Sequence, residues 1–367
     1  MKLTLSFLFI FIFFFGCSKK EKILFDALPH TYLIQSDFHS LPGFSEENYA
    51  EVLENFRNNC TTSKAKKLYG SLCEEANGVS SAKEFLENSF TPFVITKDNG
   101  EKEGLLTGYY EAKLFASLTP SEEYKYPIYK TPKDLISVEL SSIYPELKHY
   151  RLRGRIEGNK LVPYDTREES KTKKIDADII CYCNSKVDKF FLEIQGSGRV
   201  KLEDNSTLFI GYDNQNGHKY RAIGRYLVKI KAMKLEDVSL QSIRAWLDTH
   251  PSRVDEVLNY NHSMVYFKQR EQGATGALGV QLTPQRSIAV DRKYIPLGSM
   301  VYLHSNIVKK NINKFVFAQD TGGAIKGAVR ADLFVGSGKE ALEIAGKLKS
   351  KLQLWILLPK NMKQRDL

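Results

Sequence analysis

The chain has 367 residues, a formal net charge of +10 and a hydrophobic fraction of 42%. That length exceeds one ordinary domain, so two are expected, and the hydrophobic share is that of a globular protein with a substantial core rather than a disordered chain. The charge by itself would raise nucleic acid as a partner. However, Lys64–Lys67, Lys171–Lys174 and Lys309–Lys314 are separate short clusters, and the N-terminus argues for export, so no nucleic acid is expected.

Lys2 precedes an apolar run, Leu3 to Phe15, interrupted by Thr4 and Ser6. The run is shorter than the ~20 residues of a membrane span and fits the apolar region of a secretory signal. Gly16-Cys17 at its end resembles a bacterial lipobox, in which Cys17 is lipidated and becomes the first mature residue. An uncleaved anchor is the alternative, and either way the body lies outside the cytoplasm, held at a membrane. Ser18 in place of Asp favours, by what is general to such lipoproteins, sorting to the outer membrane and a periplasmic body.

Residues 19–40 read as a tether leading into the first structured segment. Tyr49, Val52, Leu53 and Phe56 have helical spacing, with Ser45, Glu46 and Glu47 suited to a helix start. Ala82, Phe85, Leu86 and Phe90 suggest a second helix capped by Ser80 or Ser81. Cys60 and Cys73 can pair in an oxidising compartment. Cys181 and Cys183 share one face of an expected strand and read as core. No Cys/His spacing resembles a zinc site, so neither metal nor other cofactor is expected.

From Phe93 the pattern turns to strands: FVIT, GLLTGYYEAKL, IYKTP, RGRIEGNKLVPY, ADIICYC and KFFLEIQGSGRVKL. Tyr220–Lys231, Ser239–Leu247 and Arg253–Leu258 return to helical spacing. A glycine loop spans Gly273 to Gly279. QLTPQRSIAVD, SMVYLH, KFVFAQD and ADLFVG resume the strands, and a helix at Lys339–Leu348 and a strand at Gln353–Leu358 close a mainly β chain.

The segment Phe317–Gly336 holds the densest chemistry. Asp320 and Asp332 flank Gly322, Gly323 and Gly327, with Lys326 between. Strand–loop–strand geometry of this kind holds two carboxylates near an open surface, where they can do acid–base work. The plain alternative is a hairpin whose aspartates cap turns.

Seven segments in order then resemble one family: TGYYEAKL (107–114), YKYPIYKTP (124–132), DKFFLEIQGSGRV (188–200), NGHKYRAIGRYL (216–227), VYFKQRE (265–271), RSIAVDRKYIPLGS (286–299) and AQDTGGAIKGAVRAD (318–332). Together the chain is similar to the membrane-bound lytic murein transglycosylase A family. The resemblance implies a double-psi β-barrel built from residues 18–109 and 270–360, with a small second β-barrel, 110–269, inserted. A groove between them would hold a peptidoglycan glycan strand. It implies cleavage of the β-1,4 bond between N-acetylmuramic acid and N-acetylglucosamine with formation of a 1,6-anhydro ring. The family's three barrel aspartates fall on Asp291, Asp320 and Asp332, the catalytic one on Asp332. The lipid anchor agrees with Cys17, and a monomer is expected.

A single aspartate can serve this reaction as acid and then base, provided its pKa lies well above ~4. Lys326 and Arg330 would oppose that shift if close, so they are expected to face elsewhere or to hold substrate. Tyr109, Tyr110 and Tyr129 are candidate sugar platforms, with half-buried packing as the blander reading of each. Gln195 and Ser197, within Gln-Gly-Ser-Gly, are candidate substrate ligands. His218 and His250 adjoin no nucleophile and read as structural. Two other functions remain open at this point: a homodimeric aspartic protease, suggested by Asp320-Thr321-Gly322, and a peptidoglycan-binding lipoprotein without catalysis.

Overall fold

The structure, a computed structural model, describes residues 22–24, 32–150, 152–307 and 310–362. The signal segment and Cys17 lie outside the described residues. β1 (Lys22–Leu24) pairs antiparallel with β2 (Tyr32–Gln35), so pairing begins inside the segment expected to be a tether. Four helices follow: α1 (Tyr49–Asn59), α2 (Ser63–Tyr69), α3 (Leu72–Glu75) and α4 (Ala82–Ser89). α1 starts later than Ser45-Glu-Glu suggests. Asn48 is its cap, accepting from the Glu51 N–H at 3.3 Å, while Glu47 is drawn away to Arg286 at 2.9 Å. Ser81, not Ser80, caps α4. Cys60 and Cys73 form a disulfide that ties the end of α1 to α3.

The next strands are β3 (Phe90–Thr96), β4 (Gly104–Ser117), β5 (Tyr126–Tyr129), β6 (Ile136–Val138), β7 (Leu152–Glu157), β8 (Lys160–Pro163) and β9 (Ile179–Cys183). KFFLEIQ, expected as a strand, is instead α5 (Lys186–Gln195). The local reason is plain in hindsight. Ser185 caps it through the Asp188 N–H, and Gly196 ends it in the left-handed region at φ 78°. Phe190 and Phe191 pack onto other helices and Leu192 into the strand core, which a run of four buried positions does not disclose by period alone.

β10 (Ser197–Leu202) and β11 (Thr207–Gln215) come next, then α6 (Ile223–Lys229), α7 (Leu240–Thr249) and α8 (Val254–Asn259). The chain returns through β12 (Val265–Arg270), β13 (Ser287–Val290), β14 (Met300–Ile307), β15 (Lys310–Asp320) and β16 (Arg330–Ser337). It ends with α9 (Gly338–Lys347) and β17 (Lys349–Pro359).

Hydrogen-bonded pairing closes a circuit of six strands, β17–β14–β15–β13–β16–β4 and back to β17. β4 is long because it serves two neighbourhoods. Up to Glu111 it pairs with β16, and from Ala112 onward it runs beside β10. β11 and β12 extend that second sheet, and β6, β7 and β8 form a small separate one.

Strand periodicity divides the core. Val301, Leu303, Val316, Ala318, Leu354 and Ile356 face the circuit's interior. Their alternates Met300, Tyr302, Phe315, Phe317, Trp355 and Leu357 face α1, α2 and α4. Both faces are buried, so these strands read as continuous apolar runs. Cys181 and Cys183 are fully buried in the first cluster, as expected of core residues.

Candidate active site

Ala289 in β13 pairs with Asp320 at the end of β15 on one side and with Asp332 in β16 on the other. With strands ~4.8 Å apart, the two aspartate backbones stand about 10 Å from each other. β16 runs parallel to β4 with Asp332 opposite Thr107. Thr107 and Tyr109, two positions apart, share one face of β4. The Thr107 hydroxyl donates to Asp332 Oδ1, and the Tyr109 hydroxyl donates to Asp320 Oδ2 at 3.0 Å.

The two carboxyls differ in what holds them. Asp320 Oδ1 also accepts from the Thr321 N–H at 2.8 Å and the Ala277 N–H at 3.0 Å. The second donor comes from the Gly273–Gly279 loop, which is pinned by the Leu278 N–H on the Gln319 carbonyl at 2.9 Å. Gly276 permits that approach, since a Cβ there would lie 2.3 Å from the Gln319 oxygen. Asp332 is held through Oδ1 alone, and its Oδ2 has no hydrogen-bond partner among the described residues. Arg330 Nη2 donates to Thr107 Oγ1 at 2.8 Å, and Nη1 donates to the Leu105 carbonyl at 3.3 Å.

Asp291 is 6% exposed. It accepts from the Gly327 N–H at 3.0 Å and the Lys293 N–H at 3.2 Å, so it fastens the glycine loop.

Tyr109, Ala274, Leu282, Ala289, Ile325 and Phe334 form a small apolar cluster beside both acids. Desolvation pushes the Asp332 carboxyl above the usual range, and the Thr107 hydrogen bond and the Arg330 charge pull only partly back. Asp320 is also raised, first by desolvation and in small part by the charge of Asp332, against its three donors. Burial lowers the Arg330 guanidinium, and burial with the neighbouring Asp320 raises the Tyr109 phenol.

The other sequence candidates fall in several places. Tyr109 is 7% exposed and packs on Phe334 at 5.3 Å, and Tyr110 is 4% exposed within the main core. Neither presents an open ring face. Gln195 is the last residue of α5, not the end of a strand, and its Oε1 accepts the Tyr110 N–H at 3.1 Å. Ser197 is buried and pairs with Gly211. Tyr129 is half-buried against Leu135, Tyr164, Met264 and Tyr266. Lys326 is exposed, whereas its neighbour Ile325 is buried in the apolar cluster.

His218 bonds to the Tyr164 carbonyl oxygen at 2.7 Å and His250 stacks on Trp246 at 4.1 Å, both structural roles. Thr107 and Ala277 were not singled out by sequence. The period-2 relation of Thr107 to Tyr109 was the available signal. Among the described residues no group of three His, Cys, Asp or Glu side chains converges on a metal-sized site.

Comparison with known proteins gives a consistent picture. Residues 105–268 match the family described as the MltA specific insert domain, and residues 286–358 match the 3D domain. Membrane-bound lytic murein transglycosylase A of Escherichia coli K12 is 31% identical over 353 residues, covering 90% of this chain and 86% of that protein. The crystal structure of MltA from Neisseria gonorrhoeae, monoclinic form, superposes with a TM-score of 0.79 at 34% identity, covering 95% of this chain and 97% of that one. E. coli MltA with bound chitohexaose superposes with a TM-score of 0.67 at 26% identity, over 89% and 93% of the two chains. The chain belongs to the membrane-bound lytic murein transglycosylase A family, enzymes that degrade peptidoglycan.

Proposed function

We propose that the enzyme cleaves the β-1,4 bond between N-acetylmuramic acid and N-acetylglucosamine and leaves a 1,6-anhydromuramoyl end, with Asp332 as acid and then base. The observation that carries this is the asymmetry of the two carboxyls. Asp320 accepts three hydrogen bonds, whereas Asp332 is raised by desolvation and keeps Oδ2 free. A protonated Oδ2 gives its proton to the bridging oxygen as the C1–O bond breaks and oxocarbenium character develops. The C6 hydroxyl of the same sugar then bonds to C1, and its proton returns to the Asp332 carboxylate. Neither a water nucleophile nor a metal takes part, so activity persists in EDTA.

In this reading Asp320, Tyr109 and Asp291 position the loops around Asp332. The six-strand circuit is the double-psi barrel, formed by 18–109 and 270–360, and 110–269 is the insert facing it across the glycan groove. The bound chitohexaose of the E. coli relative supports a sugar-polymer ligand. The relatives' name supports attachment at a membrane, which we assign to Cys17 and the outer membrane, with a monomeric body in the periplasm. Family membership removes the grounds for the protease and non-catalytic alternatives. Mass spectrometry of products from purified sacculi tests the reading. Anhydro-muropeptides are expected, and reducing-end muropeptides would replace it with hydrolysis.

A further inference from the structure

A depression of about 1040 Å³ opens on the barrel wall beside Arg330. Lys97, Glu101, Lys102, Glu103, Lys326 and Arg330 supply its charge, four cations against two carboxylates. Both carboxylates are already engaged: Glu101 with Lys97 at 2.7 Å and Glu103 with Lys351 at 3.0 Å. Lys102 and Lys326 are exposed and form no ion pair or hydrogen bond among the described residues. Arg330 has no carboxylate within ion-pair distance among the described residues, its guanidinium being spent on Thr107 and backbone carbonyls. At the rim Lys102 and Lys326 thus carry positive charge that the protein leaves unpaired, while Arg330 also feels the charge of Asp332.

Its place relative to the acid matters. Arg330 and Asp332 are two positions apart on one face of β16, about 7 Å along the strand. Arg330 and Asp332 also meet the same hydroxyl, that of Thr107. The loop that carries Lys326 is fastened at Gly327 by Asp291, so the lysine's root is fixed rather than trailing. A sugar seated at Asp332 therefore has this rim on its β16 side, beginning at Arg330 about 7 Å along the strand.

We propose that this depression binds the carboxylate-bearing peptide carried on the lactyl group of the muramoyl sugar, with Lys102 and Lys326 as its charge partners and Arg330 as its inner edge. The assignment rests on the proposed function, since it is the muramoyl sugar at Asp332 that brings the peptide there. Surface ammonium groups on flexible stems suit a ligand whose carboxylates vary in position, because a lysine is a mobile point charge. Charge complementarity of this kind selects among substrates more than it adds affinity.

The test compares kcat/KM on peptide-bearing glycan strands and on the same strands stripped of peptide by an amidase. In Lys102→Glu/Lys326→Glu the ratio of the two falls by about tenfold relative to the wild type, on the order expected for reversing two contact charges. A ratio unchanged within twofold overturns the proposal. Binding is read separately on the full chain carrying Asp332→Asn, by calorimetry with the free lactyl-tetrapeptide. Saturable, salt-sensitive binding that the double reversal abolishes supports the site. Absent binding, or binding indifferent to the reversal, overturns it. Wild-type protein that cleaves neither strand would instead sink the transglycosylase reading, and the calorimetric result would stand apart from it.

Discussion

Asp320 and Asp332 meet the same residue, Ala289, from its two sides. Ala289, buried among Tyr109, Leu282, Ile325 and Phe334, keeps the space between them apolar, and β4 supplies one hydroxyl to each at positions Thr107 and Tyr109. Two acids in one desolvated patch are thereby held differently. The one with three donors is a fixed post, and the one with a free oxygen can exchange a proton.

Asp332→Asn keeps the shape of the side chain and removes the proton. Turnover falls by ~10²–10⁴-fold or more, the usual contribution of a positioned acid. Stability moves the other way. The folded pKa of Asp332 is raised above its unfolded value by desolvation. Its contribution is therefore fully present below the unfolded pKa and is lost as pH rises through the folded one. At neutral pH the ionised carboxylate costs stability, and Asn relieves that cost. The melting temperature of Asp332→Asn equals or exceeds that of the wild type at pH 7, and the gap closes on acidification below the ordinary carboxylate range. A variant melting well below the wild type at pH 7 contradicts the desolvated site.

The pH profile carries the same signature. On the proposed mechanism activity requires protonated Asp332, which places the alkaline limb of kcat/KM above the ~4 of a free aspartate. The Thr107 hydroxyl stabilises the carboxylate and holds the shift down. Thr107→Val removes that donor, moves the limb to higher pH and lowers kcat by roughly tenfold through lost orientation. A limb that stays put, or moves down, means that Asp332 is not the group titrating.

Tyr109→Phe separates positioning from sugar stacking. The ring remains against Phe334 while the hydrogen bond to Asp320 is lost. Removal of one such buried bond costs about 1–3 kcal/mol of local order. Turnover is expected to drop about tenfold with KM little changed. A rise in KM at constant kcat would mark a substrate platform instead.

How far these features can be read from sequence depends on their range. β14, β15 and β17 are legible as strands because each is a run of apolar and aromatic residues bounded by polar ones, although burial on both faces erases the alternation. KFFLEIQ misleads for the same reason: four adjacent buried positions fit a strand or a helix, and only Ser185 and Gly196 distinguish them. Asp320 and Asp332 stand out through the glycines between them. Their difference does not, because Ala277 lies 43 positions before Asp320 and Thr107 lies 225 before Asp332. Tyr110 and Gln195, each a candidate substrate contact by sequence, instead meet one another through a backbone N–H that closes the core.

Gly276 offers a test of the post itself. Its Cα faces the Gln319 carbonyl so closely that an added Cβ would meet the oxygen at 2.3 Å and the Leu282 side chain at 2.8 Å. Gly276→Ala therefore lifts the Gly273–Gly279 loop from the end of β15. The Ala277 N–H then leaves Asp320, and the Leu278 N–H leaves Gln319. The loop lies at the edge of the six-strand circuit, so the core pairing of β13, β15 and β16 survives, with a melting temperature a few degrees lower for ~1–2 kcal/mol. Activity falls much further, by ~10-fold or more, because a misplacement of the order of 1 Å near reacting groups is costly. Gly279→Ala is the control. It lies in the same loop with φ +95° but with nothing within 4 Å of its Cβ, so it strains the backbone without pushing on Gln319. Gly276→Ala losing more activity per degree of melting temperature than Gly279→Ala is the expected result. Equal ratios in the two variants mean that the loop matters for stability alone and that Asp320 does not depend on Ala277 for its placement.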